Sequence, residues 1–217
     1  MSAERGGART PGERTRRRLS TEERREQLLS VGAKLFARDP YDDVWIEQVA
    51  ELAGVSRGLL YHYFPTKRDF FAAVVRREST RMLRLTAAVP GIPVHDQLAA
   101  GLDTFLDYVA THAQGFRAFH RAEAAGDPAV RAVYREGLAA HEAQIMAALA
   151  ADPQLVGRLP GPAALRLAVR GWLAFLVAAC LDWLDEPELT RAEVRDLCAR
   201  TLLGALLPAS AAPGEEP

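Results

Sequence analysis

A short stretch of the chain gathers side chains suited to polar recognition: Ser56, Arg57, Gly58, Leu59, Tyr61 and His62. Arg57 carries a planar fork of donors that pairs with guanine O6 and N7 or with phosphate. Gly58 permits close approach of a backbone, and Leu59 could touch a thymine methyl. Tyr61 and His62 suit phosphate oxygens. This is the chemistry of holding a nucleic-acid duplex. Bond-making signatures are missing: there is no GxSxG, no GxxxxGK and no HExxH, and Cys180 falls midway along an apolar stretch. No enzyme is expected.

The elements that must position these residues are two short helices meeting at Gly54, one from about Val44 to Ala53 and one from Ser56 to Tyr63. Glycine takes the left-handed conformation that a tight turn between helices requires. Ala50 is small where the helices should cross, and Val49, Val55, Leu60 and Tyr63 are placed to pack between them. Ser56 as N-cap puts Arg57, Gly58 and Leu59 in the first turn of the second helix, the turn that reads base edges in a helix-turn-helix. A purely structural role accounts equally well for the apolar positions, but not for the polar set on so short a helix.

The next helix starts at Thr66-Lys67-Arg68-Asp69 and reaches about Ala87. Lys67 and Arg68 stand in its first turn, where the helix dipole disfavours cations by about 0.3–1 kcal/mol. A phosphate docked there would reverse the sign. The alternative is a solvated side chain pointing away.

Helical punctuation covers the rest. Ser20 with Glu23 forms a capping box for a helix to about Arg38, stopped by Asp39-Pro40. Pro90-Gly91-Ile92-Pro93 breaks the chain in two. Beyond it the pattern gives helices at about 95–112 and 115–125, one opened by Asp127-Pro128, an apolar one opened by Gly161-Pro162, and one opened by Thr190 and Glu193 that runs to Leu207. The fold class is all-α.

The run from Leu28 to Val75 resembles the DNA-binding domain of the TetR (tetracycline-repressor) family of bacterial transcription regulators. Leu35-Phe36, Tyr41, Val49-Ala50, Ala53-Gly54-Val55-Ser56, Gly58, Leu60-Tyr61, Tyr63-Phe64 and Lys67 carry the likeness at fixed spacing without gaps. The resemblance implies a three-helix DNA-binding domain and a larger helical domain that dimerises and binds a small effector. By position it makes Tyr61, His62, Tyr63 and Lys67 phosphate contacts and Arg57 to Leu59 the base-reading turn. Two departures stand out. Pro40 replaces a glycine that commonly ends the first helix, and Val44-Trp45 replaces a hydroxyl pair before the second, leaving Asp42 or Asp43 to cap it.

Composition makes residues 1–19, rich in Gly, Pro and Arg, a disordered basic arm; the chain then divides into a DNA-binding domain at 20–81 with its motif at 45–64, an effector-binding and dimerisation domain at 82–208 that the resemblance implies, and a disordered tail at 209–217. It places an effector pocket between the middle helices, where Phe105, Tyr108, His112, Phe116, Phe119, His120, Tyr134, His141 and Trp172 are the candidates. His141 sits on an apolar stripe, where a histidine is more often a core residue than a ligand contact. Phe116 and Phe119 would be core in most proteins. The histidines lack the spacing of a metal site, and no cofactor is expected. The two C-terminal helices, including Arg170 to Leu184, resemble the family's dimer interface.

The expected function is therefore a ligand-responsive repressor binding a palindromic operator as a homodimer, with an acyl or aromatic effector. A protein-interaction module using the motif only for packing is the competing class. Charge fits the first reading. The total is near neutral, 27 Lys+Arg against 28 Asp+Glu, but residues 1–81 hold 16 against 12 and residues 82–217 hold 11 against 16. The arginines at 14 and 16–18 then offer a further contact to backbone or minor groove. With no secretory apolar segment, and with Gly171–Leu181 too short to span a bilayer, a cytoplasmic protein is expected. Two cysteines make no disulfide scaffold.

Overall fold

A computed structural model describes residues 19–206 apart from Pro90 and Val156, and within them the chain forms α-helices and two 3-10 turns but no strand. All but the last residue of the basic arm, and the whole C-terminal tail, lie outside the described residues. Helix α1 (Thr21–Arg38) begins with the expected box: Ser20 Oγ accepts from Glu23 N–H at 3.2 Å and Glu23 Oε2 accepts from Ser20 N–H at 2.8 Å. Pro40 then leads in extended conformation into a 3-10 turn at Tyr41–Asp43.

Helix α2 (Ile46–Ala53) starts two residues later than its apolar pattern suggests. Val44 is apolar because it is buried, yet its backbone is extended. Neither Asp42 nor Asp43 caps this helix. Gln48 does so instead, its Oε1 accepting from the Trp45 N–H at 2.9 Å. Helix α3 (Arg57–Tyr63) follows a turn in which Gly54 has φ +65°. Helix α4 (Lys67–Leu85), capped by Thr66, runs unbroken through residue 81.

Helices α5 (Val94–Thr111), α6 (Ala113–Ala124), α7 (Pro128–Ala151), α8 (Pro162–Asp185) and α9 (Arg191–Leu206) complete the chain. Asp127 caps α7 with Pro128 in its first turn, and Thr190 and Glu193 form the reciprocal pair before α9. Local rules suffice for these starts because a cap needs only residues three positions apart.

Two apolar cores hold the helices. The first joins Leu28, Leu29 and Phe36 of α1 to Val49, Leu60, Phe70 and Phe71, and is closed by Val130 of α7 and by Phe119 of α6. The second joins Leu102, Leu106 and Val109 of α5 to Trp172 and Cys180 of α8 and Cys198 and Leu202 of α9. Each fully buried large side chain contributes about 1.5–3 kcal/mol. Helix α8 as a whole is long and apolar enough to cross a membrane by length and composition, beyond what its uncharged stretch suggests. In the fold, one stripe of it, from Leu165 to Cys180, is buried in the second core. Burial pushes the Cys180 thiol up to about 12 and Cys198 to about 11.

Candidate nucleic-acid interface and internal cavity

The motif is built as its spacing requires. Val49, Ala50 and Leu60 are buried between α2 and α3, with Val55 and Tyr63 half-buried beside them. Ser56 Oγ accepts from the Leu59 N–H at 3.2 Å, so it caps α3. That leaves Arg57, Gly58, Leu59, Tyr61 and His62 exposed on one short helix. Arg57 is ion-paired with Glu47 of α2 across the surface. Tyr63 turns toward α1, its hydroxyl donating to the Thr21 carbonyl at 3.4 Å, with the His62 ring edge-on to it at 5.8 Å.

Both cations at the start of α4 have partners within the chain. Lys67 Nζ donates to the Asp42 carbonyl at 3.2 Å and lies 4.5 Å from the centroid of the Tyr41 ring. Partial burial lowers its pKa, against the pull of Asp42 and Asp43. Arg68 pairs with Asp127 at 2.7 Å. One feature escaped sequence reasoning: Trp45 is 65% exposed at the start of α2. Its signal was an indole at an N-cap position, where small polar residues are favoured.

A cavity of about 290 Å³ lies inside the helical bundle. All nine candidates, Phe105, Tyr108, His112, Phe116, Phe119, His120, Tyr134, His141 and Trp172, line it. Phe116 and Phe119 thus pack as core residues and also face open space. His141 does the same, its Nδ1 donating to the Gly137 carbonyl at 2.8 Å. His112 Nδ1 donates likewise to the Tyr108 carbonyl at 2.9 Å, with its ring stacked on Tyr108 at 4.1 Å. Burial lowers His120 to about 4 and holds His141 below its ordinary value, so both imidazoles are neutral at pH 7. Trp172 Nε1 is fixed on the Cys198 carbonyl at 2.8 Å.

Sequence reasoning missed a whole wall. Phe71, Val74, Val75, Glu78 and Met82 of α4 and Thr86 just past its end line the same cavity, together with Ala33 and Phe36 of α1. At 1.5 Å per residue, the stretch of α4 from Phe71 to Met82 is about 16 Å long. The cavity is therefore elongated, and at one end it shares Phe36 and Phe71 with the core of the helix-turn-helix domain.

Residues 28–74 match the family described as bacterial regulatory proteins, tetR family, and residues 94–204 match the tetracyclin repressor-like C-terminal domain. Among solved structures, a tetR-family transcriptional regulator from Streptomyces coelicolor is 31% identical, with a TM-score of 0.74 over 86% of this chain and 82% of that one. The HTH-type transcriptional activator FasR of Mycolicibacterium smegmatis is 30% identical over 135 residues, 60% of this chain and 62% of its own length. The HTH-type transcriptional repressor Rv1474c of Mycobacterium tuberculosis is 32% identical over 88 residues, 41% of this chain and 46% of its own length. The chain thus spans less than two thirds of either relative. With both parts of the molecule matched and the fold shared, the chain belongs to the tetR family of bacterial regulatory proteins, which are helix-turn-helix transcriptional regulators and not enzymes.

Proposed function

We propose that this regulator is a repressor that binds a palindromic operator as a homodimer and leaves it when a small amphipathic effector enters the cavity. Ser56, Arg57, Gly58, Leu59, Tyr61, His62, Tyr63 and Lys67 form the DNA-binding set, with Arg57, Gly58 and Leu59 facing base edges and Lys67 a phosphate. The observation that carries the reading is the sharing of Phe36 and Phe71 between the cavity wall and the core of the helix-turn-helix domain. A ligand that moves those rings acts on the packing of α1 against α4, so it binds the two arrangements of the DNA-binding domain unequally. That inequality is what an effector needs in order to change operator affinity.

The dimer reading is supported by α8. Opposite its buried stripe, Ala164, Leu167, Gly171, Ala174 and Ala178 are exposed at heptad-like spacing, with Leu167 73% exposed. On α9, Leu197, Gly204 and Ala205 are exposed as well. Small and apolar side chains so arranged suit a close helix–helix contact with a second copy, and two-fold symmetry matches a palindrome. On this reading, residues 20–81 and 82–208 act as DNA-binding and effector units that share α4, and the protein works in the bacterial cytoplasm.

The test is a mobility-shift assay on the DNA upstream of the protein's own gene, with selection from random duplexes in parallel. A retarded band, a selected palindrome and a slope of affinity against salt that reflects several phosphate contacts are expected. No shift and no selected palindrome would discard the operator reading.

A further inference from the structure

Resting on the reading that the cavity holds the effector, we propose that this effector is an organic ammonium compound carrying a hydrocarbon body, held by Glu78 and the aromatic rings around it. The polar inventory of the cavity points that way. Glu78 is 6% exposed, and among the described residues it is the only carboxylate in the lining; no lysine or arginine lines the cavity. Its oxygens are bound by Arg77 and Arg81, and Arg77 also pairs with Glu26 of α1 at 2.6 Å, but these guanidiniums stand outside the cavity. Among the described residues, Glu78 is therefore the one charged side chain of the wall.

The neutral groups agree with the charge. A carbonyl oxygen only accepts, so Nδ1 of His112 and of His141 each carries its proton. In the neutral ring the opposite nitrogen, Nε2, is then an acceptor. Among the described residues no buried side-chain nitrogen or oxygen is unsatisfied, so each Nε2, which has no hydrogen-bond partner, is at least partly accessible, and both residues line the cavity. Burial and the neighbouring Glu78 carboxylate raise the Tyr108 phenol, which stays protonated. The site thus offers one carboxylate and two imidazole acceptors; its other polar groups, the His120 ring, the hydroxyls of Ser79, Thr86, Tyr108 and Tyr134 and the amides of Gln97 and Gln144, can donate as well as accept.

Phe105, Tyr108, Phe116, Phe119 and Tyr134 share the lining, and an aromatic ring face attracts an alkylammonium group most strongly when water is excluded. The elongated apolar remainder accepts a chain or flat hydrocarbon. A carboxylate or phosphate head placed inside would find no cation in the lining itself and would lie against a carboxylate already engaged by Arg77 and Arg81. The same residue gives the site a route outward, because Arg77 ties Glu78 to Glu26 in the first turns of α1.

Isothermal titration of the full chain with three ten-carbon probes, decylammonium, decanoate and decan-1-ol, each below its aggregation threshold, tests this. Decylammonium is expected to bind about tenfold or more tighter than the other two, the span of one charge-assisted hydrogen bond. Glu78→Gln is expected to remove that preference while decanol binding stays the same. Decanoate binding as tightly as the ammonium probe would overturn the ligand class and leave the effector cavity standing. Binding of none of the three by folded, DNA-binding protein would overturn both. Should Glu78→Gln fail to fold, Tyr134→Leu replaces it: a severalfold loss for the ammonium probe alone is expected, and an unchanged preference would sink the proposal.

Discussion

The Arg68 guanidinium lies 2.7 Å from Asp127 Oδ2, while Oδ1 of the same carboxylate accepts from the Ala129 and Val130 N–H groups at 3.0 and 3.1 Å. One side chain therefore caps α7 and holds the first turn of α4. Asp127 is largely buried and Arg68 is mostly exposed, so the aspartate is the fixed partner. The contact fastens the start of the helix that carries Lys67 to the element that closes the first core with Val130.

Asp127→Ala removes both roles and Asp127→Asn keeps an oxygen for the cap. We expect the alanine variant to lose about 0.5–2 kcal/mol from the cap, with a further loss from the ion pair, and the asparagine variant to lose less. Urea unfolding followed by circular dichroism measures both. Equal losses in the two variants would show that the cap contributes nothing.

The Arg57–Glu47 pair sharpens a second expectation. Lys67→Ala should weaken binding to all duplexes alike and reduce the salt slope by about one. Arg57→Ala should in addition relax base preference, at about 1–3 kcal/mol of discrimination. It also leaves Glu47 as an unpaired anion beside the surface proposed to face DNA. The double variant Arg57→Ala with Glu47→Ala should therefore bind non-specific DNA better than Arg57→Ala does. Fluorescence anisotropy at several salt concentrations separates these outcomes, and a double variant no better than the single one would remove Glu47 from the account.

The exposed stripe of α8 makes its own prediction. Leu167 is 73% exposed and faces away from the cores, so Leu167→Glu should leave the unfolding midpoint of a monomer nearly unchanged. It should convert a dimer to a monomer and weaken operator binding, because two half-sites are then no longer held together. Sedimentation at micromolar protein reads the mass directly. A variant that stays dimeric would move the interface elsewhere.

How much of this was legible in the sequence depends on how local each signal is. Ser20 with Glu23, Asp127 with Pro128, and Gly54 between its two helices act over a few residues, and each stands where its type requires. Gln48 went unread as the α2 cap because two aspartates upstream competed for the role, and only the path of the 3-10 turn decides between them. The aromatic and histidine residues that line the cavity were named through the family resemblance, which puts a pocket between the middle helices; their helical spacing alone reads as core. Phe36, Phe71 and Glu78 were not, because a helix face looks the same in sequence whether it fills a core or borders open space. Assigning α4 to the DNA-binding domain hid the fact that one face serves both.

His120 gives the protein an acid-sensitive element. Its ring is half-buried among Phe116, Phe119 and Tyr134, with centroids at 4.5, 5.0 and 5.9 Å, and desolvation there lowers its pKa from 6.5 to about 4. Between those values the unfolded chain binds a proton that the folded chain does not. Stability contributed by the neutral ring is therefore complete above about pH 6.5 and falls as the pH drops toward 4, by up to roughly 3 kcal/mol. His141, lowered by burial against the opposing pull of its Gly137 bond, adds in the same direction. Because carboxylates also titrate there, the informative quantity is the difference between the wild type and His120→Phe, a ring of similar size that cannot protonate. Unfolding free energies at pH 7.5 and 5.0 should fall by less in the variant than in the wild type. Parallel losses would mean that His120 takes up its proton in the folded chain as readily as in the unfolded one.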